Sequence, residues 1–198
     1  MANVERTMEN LEKRGYRVSR FPDKETANSY LVAELGDAVV GIGGTMTVKE
    51  MGLYPRLAAR GTTYWHLERR EELDDANMAP VYIMSANGVS ESGQIINIDG
   101  YGNRVMQMCY GHERLYFIIG INKIAPNDEM AMWRARNIAS VKNARRCEKN
   151  TPCTPGDDLI CYDCEHPERI CRVFVTLENP PTSIPHVEVV IIDEALGY

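Results

Sequence analysis

Short apolar runs alternate along this chain with helical patterns of about 10 to 15 residues, and that alternation restricts the fold more than any other feature. A strand, a crossover helix and a second strand pair in parallel, so the pattern predicts an α/β fold. The sheet is expected to be mainly parallel and open, with flanking helices. Val4, Met8 and Leu11 mark one face of a first helix, which Gly15 is placed to end. Tyr16 to Phe21 reads as a strand, and Asp23 as the cap of a second helix closed by Gly36. Ala38 to Ile42 reads as a buried strand, and Thr47-Val48-Lys49-Glu50 has the capping-box spacing that opens a third helix running to Gly61. Further strands are expected at 62–66, 81–85, 94–98 and 115–119. A polar helix is expected at 67–78, a short one at 103–110, and a long one from Asn127 or Asp128 to Val141, with a turn at Asn87-Gly88. Residues 172–177 and 187–192 read as two last strands joined by a Pro-rich loop, and are expected to pair as an antiparallel edge. The 198 residues fit a single α/β domain, 1–198, with a Cys-rich loop at 147–171.

Charge narrows the partners. Lys and Arg number 22 against 28 Asp and Glu, a formal net charge of −6. That balance disfavours a nucleic-acid binder, which needs a concentrated basic stripe. The first twenty residues are charged throughout and hold no apolar core of a secretory signal. The longest apolar run, Leu115 to Ile121, is far short of the roughly 20 residues that cross a bilayer. No membrane insertion is expected, and the cytoplasm is the expected compartment. There, cysteines are thiols or metal ligands before they are disulfides.

Four of the six cysteines, Cys153, Cys161, Cys164 and Cys171, follow the pattern Cys-x7-Cys-x2-Cys-x6-Cys. A Cys-x2-Cys pair lets one turn aim two thiolates at a single ion or cluster, and the outer pair completes a set of four. Pro152, Pro155, Gly156 and Pro167 keep helix out of the loop, so it needs something to order it. A 4Fe-4S cluster and one structural Zn fit four thiolates equally on ligand type. His166 lies in the same loop as a substitute ligand or a hydrogen-bond donor to sulfur. Cys109 sits in an apolar helix and reads as core, and Cys147 as a surface thiol.

Gly41-Ile42-Gly43-Gly44-Thr45 joins a strand to a helix, where backbone N–H groups can approach an anion. It lacks the third glycine of a dinucleotide fingerprint and the Gly-Lys-Ser/Thr end of a P-loop. Gly43, Gly44 and Thr45 are therefore candidates for a generic phosphate or carboxylate site, against the alternative of a tight structural turn. The polar stretches 85–93 and 97–104 follow a core strand, at the end of an open sheet where ligands bind. Asn87, Asn103 and Arg104 are candidate anion contacts, with Arg104 a carboxylate clamp. Glu91, Asp99 and Lys123 are candidate proton carriers or orienting groups. The competing reading is a hairpin whose polar residues satisfy turns and a helix cap. His66 reads equally as packed or functional.

Three segments in this order, GIGGTMTVKEMGL, SANGVSESGQIINIDGYGNRV and IIGINKI followed by KNARR, resemble the lactate-utilization (LUD) domain family. Its short variant also carries a C-terminal run like TPC…CYDCEHPERIC, and the resemblance spans nearly the whole chain. It implies the fold of the ribose-5-phosphate isomerase and coenzyme A transferase superfamily, and a setting in the oxidation of lactate or similar acids alongside iron–sulfur subunits. Coenzyme A transferases of that fold place a nucleophilic glutamate between the residues matching Ser85 and Asn87. This chain has Ala86, which cannot form a glutamyl thioester.

The combined expectation is an iron–sulfur-dependent enzyme or redox subunit of organic-acid utilization. A non-catalytic binding module with a structural zinc site is the alternative, and a coenzyme A transferase a third reading. Expected partners are a small anionic organic acid, an iron–sulfur or oxidoreductase subunit, and a second copy of the chain as a homo-oligomer.

Overall fold

The computed structural model describes residues 2–198. Six strands form one fully parallel sheet: β1 (Arg17–Phe21), β2 (Val40–Ile42), β3 (Thr63–Trp65), β4 (Val81–Met84), β7 (Arg114–Gly120) and β10 (His186–Ile192), in the order β1-β10-β7-β4-β2-β3. A second sheet of four short strands has the order β8-β5-β6-β9, from β5 (Gly88–Ser90), β6 (Ile95–Asp99), β8 (Ile124–Ala125) and β9 (Val173–Leu177). The mainly parallel α/β expectation is therefore correct, and the second sheet is an addition to it.

The first sheet is apolar on both faces, as a parallel sheet covered on both sides must be. Along β7, Leu115, Phe117 and Ile119 point one way, while Tyr116 and Ile118 point the other. The second face packs on α2 (Lys24–Leu35), α3 (Met46–Met51) and α4 (Leu53–Ala58). The first face packs on α1 (Val4–Lys13), α6 (Asn103–Gln107) and one side of the second sheet. The far side of that sheet, Ile96 and Ile98, is covered by Ala131 of α7 (Asp128–Arg134) and by Ala135. A helix α5 (Leu73–Met78) lies close against β2, where a Cβ on Gly41 would stand 1.9 Å from the Ala76 carbonyl oxygen.

Capping residues act largely where their chemistry directs. Asp23 accepts from the Thr26 N–H and Asn127 from the Met130 N–H. The third helix departs from expectation. Its cap is Thr45, and Thr47 is buried with its hydroxyl turned to Ser85 (3.2 Å). Gly52, at φ 66°, then breaks the run to Gly61 into α3 and α4. Asn87-Gly88 is a bend that carries the chain from the first sheet into the second.

The last two strands do not form an antiparallel edge. β10 inserts between β1 and β7 with both neighbours parallel, and β9 joins the second sheet antiparallel to β6. The reason lies in β10 itself: buried from Val187 to Ile192, its run is that of a central parallel strand and not of an edge.

After α7 the helix loosens into a π-helical turn, Ala135–Ser140, in which the Ser140 hydroxyl donates to the Ala135 carbonyl (2.9 Å). It resumes as α8 (Val141–Arg146). Residues 147–172 have no regular structure. Among the described residues no helix is long and apolar enough to cross a membrane.

Candidate functional site

Strand order reverses between β2 and β4. β2 is followed outward by β3, and β4 is followed inward by β7 and β10. The loops leaving the carboxyl ends of β2 and β4 diverge there, which is where open α/β sheets place ligands. A cavity of about 210 Å³ lies at this point. Gly44 and Thr45 reach it from β2, His66 from β3, Ser85 to Asn87 from β4, and Lys123 from the turn after β7. Asp99, Asn103 and Arg104 come from the junction of β6 and α6. Arg146 of α8 and Tyr198 complete the wall.

The glycine loop is shaped by close packing. A Cβ on Gly43 would stand 3.0 Å from the Tyr82 hydroxyl, and one on Gly44 would stand 3.2 Å from His66 Nε2. Gly43 gives its N–H to the Ile83 carbonyl (2.9 Å) and its carbonyl to the Trp65 indole (2.9 Å). It lies outside the cavity lining, so the expected anion contact falls to Gly44 and Thr45 alone.

Charge in the cavity is one-sided. Lys123 is 3% exposed, and its ammonium donates to the main-chain oxygens of Ala86 (3.2 Å) and Tyr198 (2.9 Å). Burial, with Arg134 and Arg104 nearby, pushes Lys123 down to about 7. The Arg104 guanidinium donates to Asn97 Oδ1 (2.6 Å), Asn87 Oδ1 (3.3 Å) and the Ile98 carbonyl (2.6 Å). Much of its fork is therefore committed inside the protein. A fixed charge and its remaining N–H groups face a ligand, in place of the bidentate clamp expected. Behind the cavity Arg134 is buried, donates to the Asn122 (2.8 Å) and Asn87 carbonyls, and is lowered by burial to about 10. At the mouth, Arg146 holds the Tyr198 hydroxyl (2.7 Å) and Asn143.

Asp99 is the single Asp or Glu side chain in the lining, and backbone N–H groups hold it. Its Oδ1 accepts from Gly100 N (2.8 Å), and its Oδ2 from Arg104 N (2.9 Å) and Val105 N (3.3 Å). That is a helix cap for α6, as the competing reading had it. Glu91 is not brought to the cavity: its carboxylate accepts from Asn3 N (2.6 Å) and lies 3.8 Å from Arg6, tying α1 to the β5–β6 hairpin. The structure thus gathers Gly44, Thr45, Asn87, Asp99, Asn103, Arg104 and Lys123, and leaves out Gly43 and Glu91.

Sequence reasoning missed Arg146, Asn143 and Tyr198. The signal for the first two was the KNARR run, which reads equally as a basic helix end complementing the dipole. His66, left open between two roles, lines the cavity, with Nδ1 buried and unpartnered and its basicity lowered by burial.

The four cysteines Cys153, Cys161, Cys164 and Cys171 line a second, smaller cavity. All are free thiols, and among the described residues no three His, Cys, Asp or Glu side chains are placed to hold a metal ion. Polar contacts order the loop. Arg169 donates to the Cys164 and Cys171 carbonyls, Arg145 to the Asp158 carbonyl (2.6 Å), and Cys161 N to Asn137 Oδ1 of the π turn (2.9 Å). Ser140 and Ile170 line both cavities. Between them the backbones touch: Arg172 N donates to the Asp99 carbonyl (2.9 Å), and a Cβ on Gly100 would meet the Ile170 carbonyl at 2.9 Å. Cys109 packs against the main core, as expected, and donates to the Val105 carbonyl (3.3 Å).

The family model for the LUD domain matches residues 4–192. No curated protein matches the chain. Among solved structures, a DUF162 family protein from Deinococcus radiodurans superposes with a TM-score of 0.52 at 11% identity, covering 96% of this chain and 95% of that one. At that identity the likeness concerns the fold. An eIF2B beta structure from Chaetomium thermophilum reaches a TM-score of only 0.30 at 15% identity, over 64% of this chain and 44% of that one.

Proposed function

The chain belongs to the LUD domain family, and from that premise we propose that it binds a small organic acid such as lactate in its cationic cavity, beside an iron–sulfur cluster held by four cysteines. One observation carries the first half. Lys123 and Arg104 bring positive charge to a cavity at the strand ends, and the oxygens of its one Asp or Glu side chain, Asp99, accept from backbone N–H groups. A carboxylate entering this space meets cations that no Asp or Glu side chain contacts directly, in a partly desolvated site where each charge-assisted hydrogen bond is stronger than in water.

Lys123 is the proton-handling group. Two of its N–H bonds are spent on main-chain oxygens, which leaves its third N–H for a ligand. With its pKa lowered to about 7, that position is an N–H donor to a carboxylate at lower pH and a lone pair able to take a proton at higher pH. Arg104 and Asn103 orient the acid, and Asp99 acts on them through the α6 cap. Ala86 supplies a main-chain oxygen to Lys123 where a coenzyme A transferase would need a carboxylate, so covalent transfer through a glutamyl thioester is not part of this reading.

The donor set of the second cavity supports the second half. Four thiols from a 19-residue span (153–171) line one space. Soft thiolate donors in that number and spacing fit an iron–sulfur cluster. Cys153, Cys161, Cys164 and Cys171 would hold the cluster, which would supply electron transfer or Lewis acidity there. Ser140 and Ile170 line both cavities, so a cluster held there would lie next to the acid.

Calorimetric titration with lactate at pH 6.5 tests the acid site. The protein is expected to bind lactate, and Lys123→Met to lose at least about tenfold in affinity, the effect of removing one desolvated charged partner. Equal binding by both would overturn the assignment.

A further inference from the structure

Lactate carries one negative charge, and the cavity offers more than one carboxylate can use. Its three cations stand at graded depth. Lys123 is buried at the bottom, Arg104 is partly buried, and Arg146 is exposed at the mouth. Among the described residues none of the three forms a close pair with an Asp or Glu side chain. Asp99 acts on Arg104 and Glu50 on Lys123 from a distance, and the Asp99 oxygens accept from backbone N–H groups.

Arg146 is held in place without being satisfied. Its Nε and Nη2 grip the Tyr198 hydroxyl and Asn143 Oδ1, which fixes the plane of the guanidinium, while Nη1 makes no hydrogen bond within the described protein. Tyr198 links the two ends of the cavity, because its main-chain oxygen holds Lys123 and its hydroxyl is held by Arg146. The space itself is about 210 Å³.

We infer that the occupant of this cavity carries two anionic groups: a carboxylate head against Lys123 and Arg104, and a second carboxylate or phosphate against Arg146. This rests on the organic-acid reading above and narrows it to a dianionic acid. A monoanion would leave the charge at the mouth unmatched. A second anionic group meets a guanidinium whose fork is already oriented, so little side-chain freedom is lost on binding.

Two matched pairs of probes test this. Malate is lactate with a second carboxylate on its terminal carbon, and 3-phosphoglycerate is glycerate carrying a phosphate. Calorimetric titration of the intact protein at low salt is expected to give malate or 3-phosphoglycerate a Kd at least about fivefold below that of its monoanionic partner, from one added charge-assisted contact. In Arg146→Gln that advantage of the dianion over its monoanionic partner is expected to disappear. Equal Kd values in both pairs would overturn the inference and leave the organic-acid site standing, as would an advantage that survives in Arg146→Gln. Binding of none of the four acids would remove the organic-acid site and the inference with it.

Discussion

Lys123 links stability, ligand affinity and pH through one side chain. Its ordinary amine would hold a proton to about 10.5, but in the folded protein burial lowers that to about 7. Between those values the unfolded chain binds the extra proton and the folded one does not, so folding stability rises as pH increases from 7 towards 10.5. Below 7 both states are protonated and this contribution is flat. Lys123→Met is expected to lose the rise, which thermal denaturation of the two proteins at pH 7, 8 and 9 would detect as converging melting temperatures. Lactate affinity is expected to have the opposite slope, falling above pH 7 as the ammonium loses its proton, and in Lys123→Met to be flat over the same range. At this scale the sequence was informative wherever chemistry and position coincided. Lys123 directly follows the most apolar strand, and Arg104 and Asn87 stand in loops at strand ends. Arg146 was hidden because a basic residue in the last turn of a helix has an ordinary explanation. Glu91 and Asp99 misled for the converse reason: a carboxylate in a polar loop looks alike whether it meets a ligand or a backbone N–H.

Short elements aim these residues. α6 is only five residues long, and its first turn is held by Asp99, so the cap and the direction of Arg104 are one structure. Asp99→Ala is expected to cost about 1 kcal/mol of stability, the usual worth of a cap, and to weaken acid binding severalfold without altering its pH dependence. A shifted pH profile would instead make Asp99 a proton carrier. The elements themselves were mostly legible, since Asp23, Asn127 and Gly36 mark helix ends by chemistry that needs no tertiary context. What escaped was whatever depended on partners distant in sequence. Thr47 has the spacing of a cap, yet it is buried against Ser85 and leaves the role to Thr45. β10 ends the chain but lies inside the sheet, because its apolar run needs neighbours on both sides. The π turn at Ala135–Ser140 left no trace in the periodicity, although it carries Asn137, which anchors the Cys161 backbone.

Across the whole molecule, the arrangement that matters is the wall shared by two cavities. The spacing of the cysteines predicted a common centre, and the loops at the strand ends predicted an anion site. The adjacency of the two cavities comes from the chain path through the π turn and residues 170–172, where Arg172 N bonds to the Asp99 carbonyl. Cys161→Ser with Cys164→Ser is therefore expected to loosen the loop and, through Ile170 and Asp99, to weaken malate binding as well as lose metal. The most direct measurement is anaerobic purification followed by an ultraviolet–visible spectrum and iron, sulfide and zinc analysis on one sample. A brown protein is expected, with iron and sulfide each at about four per chain, the content of a cubane cluster on four cysteines, and with the colour lost in the double variant. A colourless protein with about one zinc per chain would contradict this expectation, leaving the thiols a structural role and the organic-acid cavity without a redox neighbour.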